Sequence, residues 1–359
     1  MAKRILIIGN GGRENALAWK IRQDGHTAEM RTGSIDELAK YAKDFYLTIV
    51  GPDQYLADGI VDEFQKKGLR VFGPTKIQAK IEWSKQFAKD LMQELQIPTA
   101  RQLYKIGPGP VVIKKDGLAL GKGVQIIDGP LVIEEFLEGM EVSTHAFCDG
   151  KTFKMFPTSQ DHKQIFDGDK GPNTGGMGTI APAVDVDASE IVGKIVKKLH
   201  YKGVLYPGLM LTGDGPKVLE FNARFGDPET QSYMRLLKTD LVEIADACID
   251  GTLDQIDIEW HLGAAATVVL AASGYPGEVK KGDEITGIEE AQELPGVVVF
   301  PAGMTNDELR MTNGGRVLGV SAIGKDLKEA LARAYEGVSK IHFKGMQYRK
   351  DIGRKVLNM

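Results

Sequence analysis

The sequence predicts a multidomain protein of α/β and α+β character: an N-terminal parallel α/β unit, a mixed central unit and a β-rich C-terminal unit. Three observations carry that prediction. Residues 4–9 (Arg-Ile-Leu-Ile-Ile-Gly) form the continuous apolar run of a parallel strand buried on both faces, and a glycine turn leads from it into helical spacing. Alternation of strand and helix then continues to Thr75. From Leu262 the chain changes to short apolar runs separated by glycine turns. A chain of 359 residues exceeds one ordinary core and suggests roughly two to four domains. The divisions fall at 1–97, 98–255 and 256–359.

In order, Gly9-Asn10-Gly11-Gly12-Arg13-Glu14 precedes helical spacing over Asn15–Gln23, which places backbone donors at a helix N-terminus, an anion site. Glu14 occupies the last glycine position of a G-x-G-x-x-G register, and no acidic residue closes a second strand to hold a ribose. A nicotinamide-binding unit is therefore the weaker reading. The second strand region, His26–Gly33, is short. Ser34–Lys43 reads as a helix with Ser34 as N-cap and Glu37 as its capping-box partner. Leu47–Val50 is a buried strand, and Gly51-Pro52-Asp53 is the loop at its C-terminal end, where ligands of open parallel sheets bind. Asp58–Lys67 reads as a helix, and Val71–Thr75 closes the unit. Ile77–Leu95 reads as one helix with Trp83, Phe87 and Leu91 in an apolar stripe, ended by Ile97-Pro98-Thr99.

Val111–Lys114 is a strand followed by Asp116-Gly117 and a glycine-rich stretch to Gly123. A phosphate loop of the Walker type is excluded, because the glycine spacing is one short and no Ser/Thr follows the lysine; a plain β-hairpin is the simpler alternative. Val186–Leu199 is helical. Tyr206–Leu211 is a strand joined by a Gly-Asp-Gly-Pro hairpin to Val218–Asn222, and Gln231–Asp250 reads as one helix. In Val218–Asn222 the alternation puts Glu220 and Asn222 on one face. Two oxygen-bearing side chains on a rigid strand suit a hard cation such as Mg²⁺, with phosphate oxygens filling its other positions. Arg224 follows, where a guanidinium can meet phosphate or carboxylate bidentately, and Asp227 and Glu229 add carboxylates. The stretch from Lys154 to Gly178 concentrates polar and glycine residues whose backbone N–H groups can approach an anion. In the C-terminal part, Ala264–Ala272, Val297–Phe300 and Arg316–Val320 are strands and Leu327–Ile341 a helix; Asn313–Arg316 is a glycine turn with a structural role.

A formal net charge of −4 gives no broad footprint for nucleic acid, and 42% hydrophobic with 26% charged residues is ordinary globular composition. Cys148 and Cys248 lie far apart without CxxC spacing, which fits reduced thiols. The N-terminus enters a strand without an apolar leader, and no run approaches a membrane span, so a cytoplasmic protein without nucleic-acid or membrane partners is expected.

The segments SQDHK (159–163), DGDKGPNTGGMG (167–178) and EFNARFGDPET (220–230) resemble the signatures of the phosphoribosylamine–glycine ligases (glycinamide ribonucleotide synthetases), ATP-grasp enzymes of purine biosynthesis. The similarity runs from Ile5 to about Gly353. It implies a pre-ATP-grasp N-terminal domain, an ATP-grasp core whose small lobe covers about 108–150, and a β-rich C-terminal domain, acting on glycine, 5-phosphoribosylamine and ATP as a monomer or weak oligomer. By the same resemblance Arg224 and Lys114 are catalytic. Lys85, Lys114, Gly117, Gly121, Lys122 and Gly123 would hold the ATP phosphates, Glu134 would belong to the ATP site, backbone groups of Glu135, Phe136 and Leu137 would take the adenine edge, and Glu141 the ribose. Gly11, Gly12, Arg13 and Glu14 would face the sugar amine, with Asp161, His162, Lys163, Pro172, Asn173, Thr174, Gly175, Gly176, Asp227 and Glu229 completing the substrate pocket. Glu220 and Asn222 would bind Mg²⁺ or Mn²⁺. The chain departs from the family in having Asn15 where His is usual, in lacking the Asn-x-Gly-Thr loop after the second strand, and in lacking a helical segment between Ile127 and Leu131. Ligation to another amine and a non-catalytic nucleotide-binding role stand as alternatives.

Overall fold

The computed structural model describes residues 1–105, 109–117, 131–305 and 309–359. Arg4–Ile8 lies inside a four-stranded parallel sheet, with Thr27–Arg31 on one side and Leu47–Val50, then Val71–Phe72, on the other. Its apolar run is continuous because both faces are covered. Leu6 and Ile8 pack with Leu38, Val61 and Phe64, while Ile5 and Ile7 pack with Ala16, Leu17 and Ile21 of the helix Gly12–Gln23. The predicted cap is present: Ser34 Oγ accepts from the Glu37 N–H, and the Glu37 carboxylate accepts from the Ser34 N–H, at the start of Ile35–Tyr41.

Three helices differ from the sequence reading. The helix expected at Asp58–Lys67 starts earlier and is divided into Asp53–Asp58 and Ile60–Lys66, because Gly59 adopts φ +89° between them. The helix expected at Ile77–Leu95 divides at Ser84 into Lys76–Trp83 and Lys85–Glu94. Ser84 leaves the helical region and caps the second piece, its Oγ accepting from the Phe87 N–H, while Asp116 accepts from the Lys85 N–H at 2.6 Å. The helix expected at Gln231–Asp250 divides into Glu229–Leu236 and Leu241–Asp250; Asp240 caps the second, and the Lys238 N–H turns away to the Glu259 carbonyl. In the second and third cases the apolar spacing continues across the break, so periodicity alone reads a single helix.

The central sheet is built on the long strand Lys202–Thr212, antiparallel to Gly215–Asn222 and bordered on its other edge by Met140–Ser143 and Ala146–Asp149. The strands Val111–Lys115 and Leu131–Glu135 form a separate antiparallel pair. A five-stranded sheet in the order Gln160–Asp161, Gly178–Ala181, Ala264–Ala271, Arg316–Gly324, Val297–Pro301 carries the helix Leu327–Lys340. Its first two strands come from the middle of the chain. Gly178 pairs with Val268 and Asp161 with Thr179, so the glycine-rich stretch is hung on the C-terminal sheet. Cys148 and Cys248 are free and buried. Among the described residues no helix is long and apolar enough to cross a membrane.

Candidate active site

The hairpin register sets Tyr206 opposite Asn222 and Gly208 opposite Glu220, so the strand Gly215–Asn222 delivers Glu220, Asn222 and the following Arg224 to one place. All three line a polar cavity of about 410 Å³ together with Asp53, Glu82, Lys85, Asp161, Lys163, Asp227, Glu229 and Arg316. Burial favours the neutral acid at Glu220, but the cations of Lys163, Lys85, Lys114 and Arg224 outweigh it and hold Glu220 below the usual carboxylate range. Asp161 behaves oppositely. Burial and the neighbouring Glu229 carboxylate push it well above that range. Glu229 is fixed by the Tyr206 hydroxyl at 2.5 Å and by Ser143 Oγ at 3.2 Å.

The glycine-rich stretch is held from both sides. Thr174 Oγ1 donates to the Lys163 carbonyl at 2.7 Å and accepts from the Gly176 N–H. Gly176 has φ +111°, and a Cβ there would lie 2.4 Å from Pro228 and 2.6 Å from Asp161, so the loop closes on these two residues only as glycine. From the C-terminal sheet, Arg316 donates to the Gly175 carbonyl at 2.7 Å, to the Asp227 carbonyl at 2.8 Å and to Asp227 Oδ2 at 2.8 Å. The Tyr275 hydroxyl accepts from the Gly175 N–H at 2.9 Å. Although burial works against it, Arg316 with Arg13 holds Asp227 below its ordinary range.

A second, more apolar cavity of about 560 Å³ adjoins the first and is lined by Val112, Lys114, Glu134 to Gly139, Glu141, Asn173, Met210 and Leu219. Asp161, Lys163 and Glu220 belong to the walls of both cavities. Glu135, Phe136 and Leu137, where the resemblance expects the adenine, lie in this wall, and Glu141 stands 3.4 Å from Lys163. Glu134 lines the same cavity. Its side chain is buried between two lysines, paired with Lys89 and, at 2.6 Å, with Lys114, whose Nζ also donates to the Leu219 carbonyl. Lys85 Nζ reaches the Gly117 carbonyl at 3.3 Å, so the helix break brings this lysine to the start of the glycine-rich segment. Gly121, Lys122 and Gly123 lie outside the described residues.

Of the remaining expected residues, only His162 lies in these walls among those described. Gly11, Gly12, Arg13 and Glu14 line neither cavity. Glu14 accepts from the Gly11 N–H and from Arg13 Nε, both at 2.6 Å, and Arg13 donates to the Phe225 carbonyl, so the turn braces the Asp227 loop. Pro172 faces an outer groove beside Tyr275. His162 lines the second cavity but has both ring nitrogens engaged, Nδ1 with the Gly178 carbonyl and Nε2 accepting from the Gly353 N–H, and burial lowers its pKa to about 4. It is a neutral structural histidine.

The comparisons with known proteins follow this geometry. Three family models cover the chain: the phosphoribosylglycinamide synthetase N domain at 3–82, the ATP-grasp (A) domain at 128–230 and the C domain at 265–355. A phosphoribosylamine–glycine ligase of Caldanaerobacter subterraneus subsp. tengcongensis is 43% identical, over 97% of this chain and 99% of the relative. The chain belongs to the phosphoribosylamine–glycine ligase family. A second ligase of the family, from Synechocystis sp., is 42% identical over 99% of this chain and all of the relative. The crystal structure of the Thermotoga maritima ligase superposes with a TM-score of 0.83 at 34% identity, covering 97% of this chain and 100% of that one. A biotin carboxylase of Campylobacter jejuni, solved with β,γ-ATP, shares the fold at a TM-score of 0.74 and 13% identity, over 100% of this chain and 96% of that one. The alignments with the first two ligases run to 416 and 421 positions, more than the 359 residues here, so those ligases carry internal segments without a counterpart in this one.

ATP-grasp ligases use ATP with a divalent cation, and the donor set fits one. Glu220 and the Asn222 side chain supply two oxygens at the cavity shared with the lysines. Among the described residues no group of three or more His, Cys, Asp or Glu is placed to hold a metal alone. Two protein oxygens leave the other positions of a hard cation such as Mg²⁺ to phosphate oxygens and water. For this family member the sequence reading missed Glu82, Lys89, Tyr206, Tyr275 and Arg316. Tyr206 had a signal, because a tyrosine in a buried strand needs a partner for its hydroxyl.

Proposed function

We propose that this protein joins glycine to 5-phosphoribosylamine with ATP, giving glycinamide ribonucleotide, ADP and phosphate, in de novo purine biosynthesis. The observation that carries the reading is the common wall of Asp161, Lys163 and Glu220. A nucleotide in the apolar cavity would point its phosphates across that wall at a carboxylate held in the polar one.

In the first step a glycine carboxylate oxygen bonds to the γ-phosphorus, the bond to the bridging oxygen breaks, and ADP leaves a glycyl phosphate. In the second the amine attacks the carbonyl carbon, the nitrogen loses a proton, and the bond to phosphate oxygen breaks. Both steps gather negative charge, so catalysis is positioning and neutralisation. Lys85 and Lys114 take the phosphates, and the Arg224 fork takes the acyl phosphate and its tetrahedral successor; losing one such donor costs roughly 10²–10³ in rate. Mg²⁺ or Mn²⁺ on Glu220 and Asn222 would neutralise phosphate charge. Asp227 and Glu229 would hold the glycine ammonium and orient the amine, and the Glu229 carboxylate would accept the proton. The Gly11–Glu14 turn would act by bracing the Asp227 loop. The chain would work as three domains (1–97, 98–255 and 256–359), in the cytoplasm, as a monomer or weak oligomer.

A second reading, the same chemistry on a different amine, is favoured by the segments that the relatives carry and this chain lacks. The test is ADP release with Mg-ATP, adding glycine and freshly generated phosphoribosylamine separately and together. One glycinamide ribonucleotide per ADP, only when both are present, is the expected result. ADP release with glycine that ignores phosphoribosylamine would point to the other amine, and tight ATP binding without ADP would leave a nucleotide binder.

A further inference from the structure

Glu82 lies in the wall of the polar cavity without a part in the steps above, and its contacts give it one. It sits in the last turn of the helix Lys76–Trp83, buried at 7% exposure. Its two carboxylate oxygens divide their work. Oε2 accepts from the Ala223 N–H at 2.7 Å, and Oε1 stands 3.0 Å from Arg224 Nη2. The same Nη2 donates to Asn222 Oδ1 at 3.0 Å, while Nη1 donates to the Phe225 carbonyl. One carboxylate from the N-terminal part of the chain therefore grips two successive residues at the end of the central hairpin and reaches a third through the guanidinium. The helix break at Ser84 makes this possible, since it lets Glu82 and Lys85 approach the site from consecutive helices. Asp53, the first residue of the helix Asp53–Asp58, faces the same cavity.

We propose that Glu82 is a positioning residue for the ligase reaction, holding the Arg224 guanidinium and, through it, the Asn222 side-chain oxygen in the orientation that the acyl phosphate and the cation need. The proposal rests on the reading of Arg224 as a ligand of the reacting phosphate. Space-filling alone does not account for the pair, because apolar residues of similar volume serve a fold at least as well as a buried ion pair. A carboxylate fixes the plane of a guanidinium as a neutral group does not.

The test is a double-mutant cycle of Glu82→Gln and Arg224→Met on the full chain, reading kcat, KM for ATP and the Mg²⁺ concentration for half-maximal turnover. Glutamine keeps an acceptor for the Ala223 N–H and the volume of the side chain. Glu82→Gln is expected to lower kcat about 10–100-fold, the cost of misplaced catalytic groups, with KM for ATP within about twofold and a raised Mg²⁺ requirement. In the Arg224→Met background the same change should alter kcat less than about twofold, since coupled residues are not additive. Equal losses in both backgrounds, or wild-type turnover in Glu82→Gln, would overturn the proposal. Wild-type turnover in Arg224→Met would instead overturn the role of Arg224, and this proposal with it. Should Glu82→Gln not fold, Glu82→Asp supplies the reading: unchanged ATP binding with lowered kcat supports positioning, and unchanged kcat refutes it.

Discussion

Replacing Arg316 by methionine tests whether the C-terminal sheet is part of the active site. The side chain is about one-fifth exposed (21%) and makes three hydrogen bonds of 2.7–2.8 Å, one to the Asp227 carboxylate and two to the carbonyls of Asp227 and Gly175. Removing one partner of a buried ion pair costs roughly 3–5 kcal/mol, and partial exposure sets the value at the low end, about 3 kcal/mol. Arg13 cannot take over, being engaged with Glu14 and the Phe225 carbonyl. Urea unfolding of Arg316→Met should give that loss, and Arg316→Lys, which keeps the charge without the fork, about half of it. Because Gly175 and Asp227 are both released, kcat/KM for glycine should fall about 10–100-fold, while KM for ATP stays near wild type. A stability change under about 0.5 kcal/mol with unaltered kinetics would show that these bonds do not organise the site.

Three further outcomes follow from the geometry. His162, buried neutral with a pKa of about 4, binds fewer protons folded than unfolded between that value and its ordinary one near 6.5; its contribution to stability is complete above pH 6.5 and is lost as pH falls. It should remove about 2 kcal/mol between pH 7.5 and 5, and urea midpoints of His162→Asn should decline less over this window. Chelation should abolish ADP release and added Mg²⁺ restore it, with Glu220→Gln needing about tenfold more Mg²⁺; activity persisting in excess chelator would refute the cation site. In Gly51→Ala the new Cβ would lie 2.0 Å from Glu14 Oε1, which should cost about 1–3 kcal/mol in thermal or urea unfolding.

The parallel N-terminal sheet was readable because each strand is a short apolar run with a turn at its end, and the meeting of Glu220, Asn222 and Arg224 at one cavity because the first two alternate on a strand and the third follows at once. The Ser34 cap was readable for the same local reason. Helix breaks were hidden where the apolar phase carried through, and with them went Glu82, which in one unbroken helix has no reason to stand at the site with Lys85. Lys89 read as an ordinary helix lysine, and only the fold brings it to Glu134. Arg316 read as the end of a structural glycine turn, because its partners Gly175 and Asp227 are 141 and 89 residues away. Pairings of that separation leave no local trace.

The sheet that mixes mid-chain and C-terminal strands also sets when the site can exist during synthesis. Asp161 and the loop to Gly178 have no lasting support until Ala264–Ala271 and Arg316–Gly324 have been made and paired. At roughly 5–20 residues per second this delay is on the order of ten seconds after the loop itself emerges. The N-terminal parallel sheet has all its strands by Phe72 and needs no such wait. A nascent chain therefore holds a folded N-terminal layer beside an unformed glycine-rich stretch for roughly two-fifths of its synthesis, and ligase activity arrives only with the last strands.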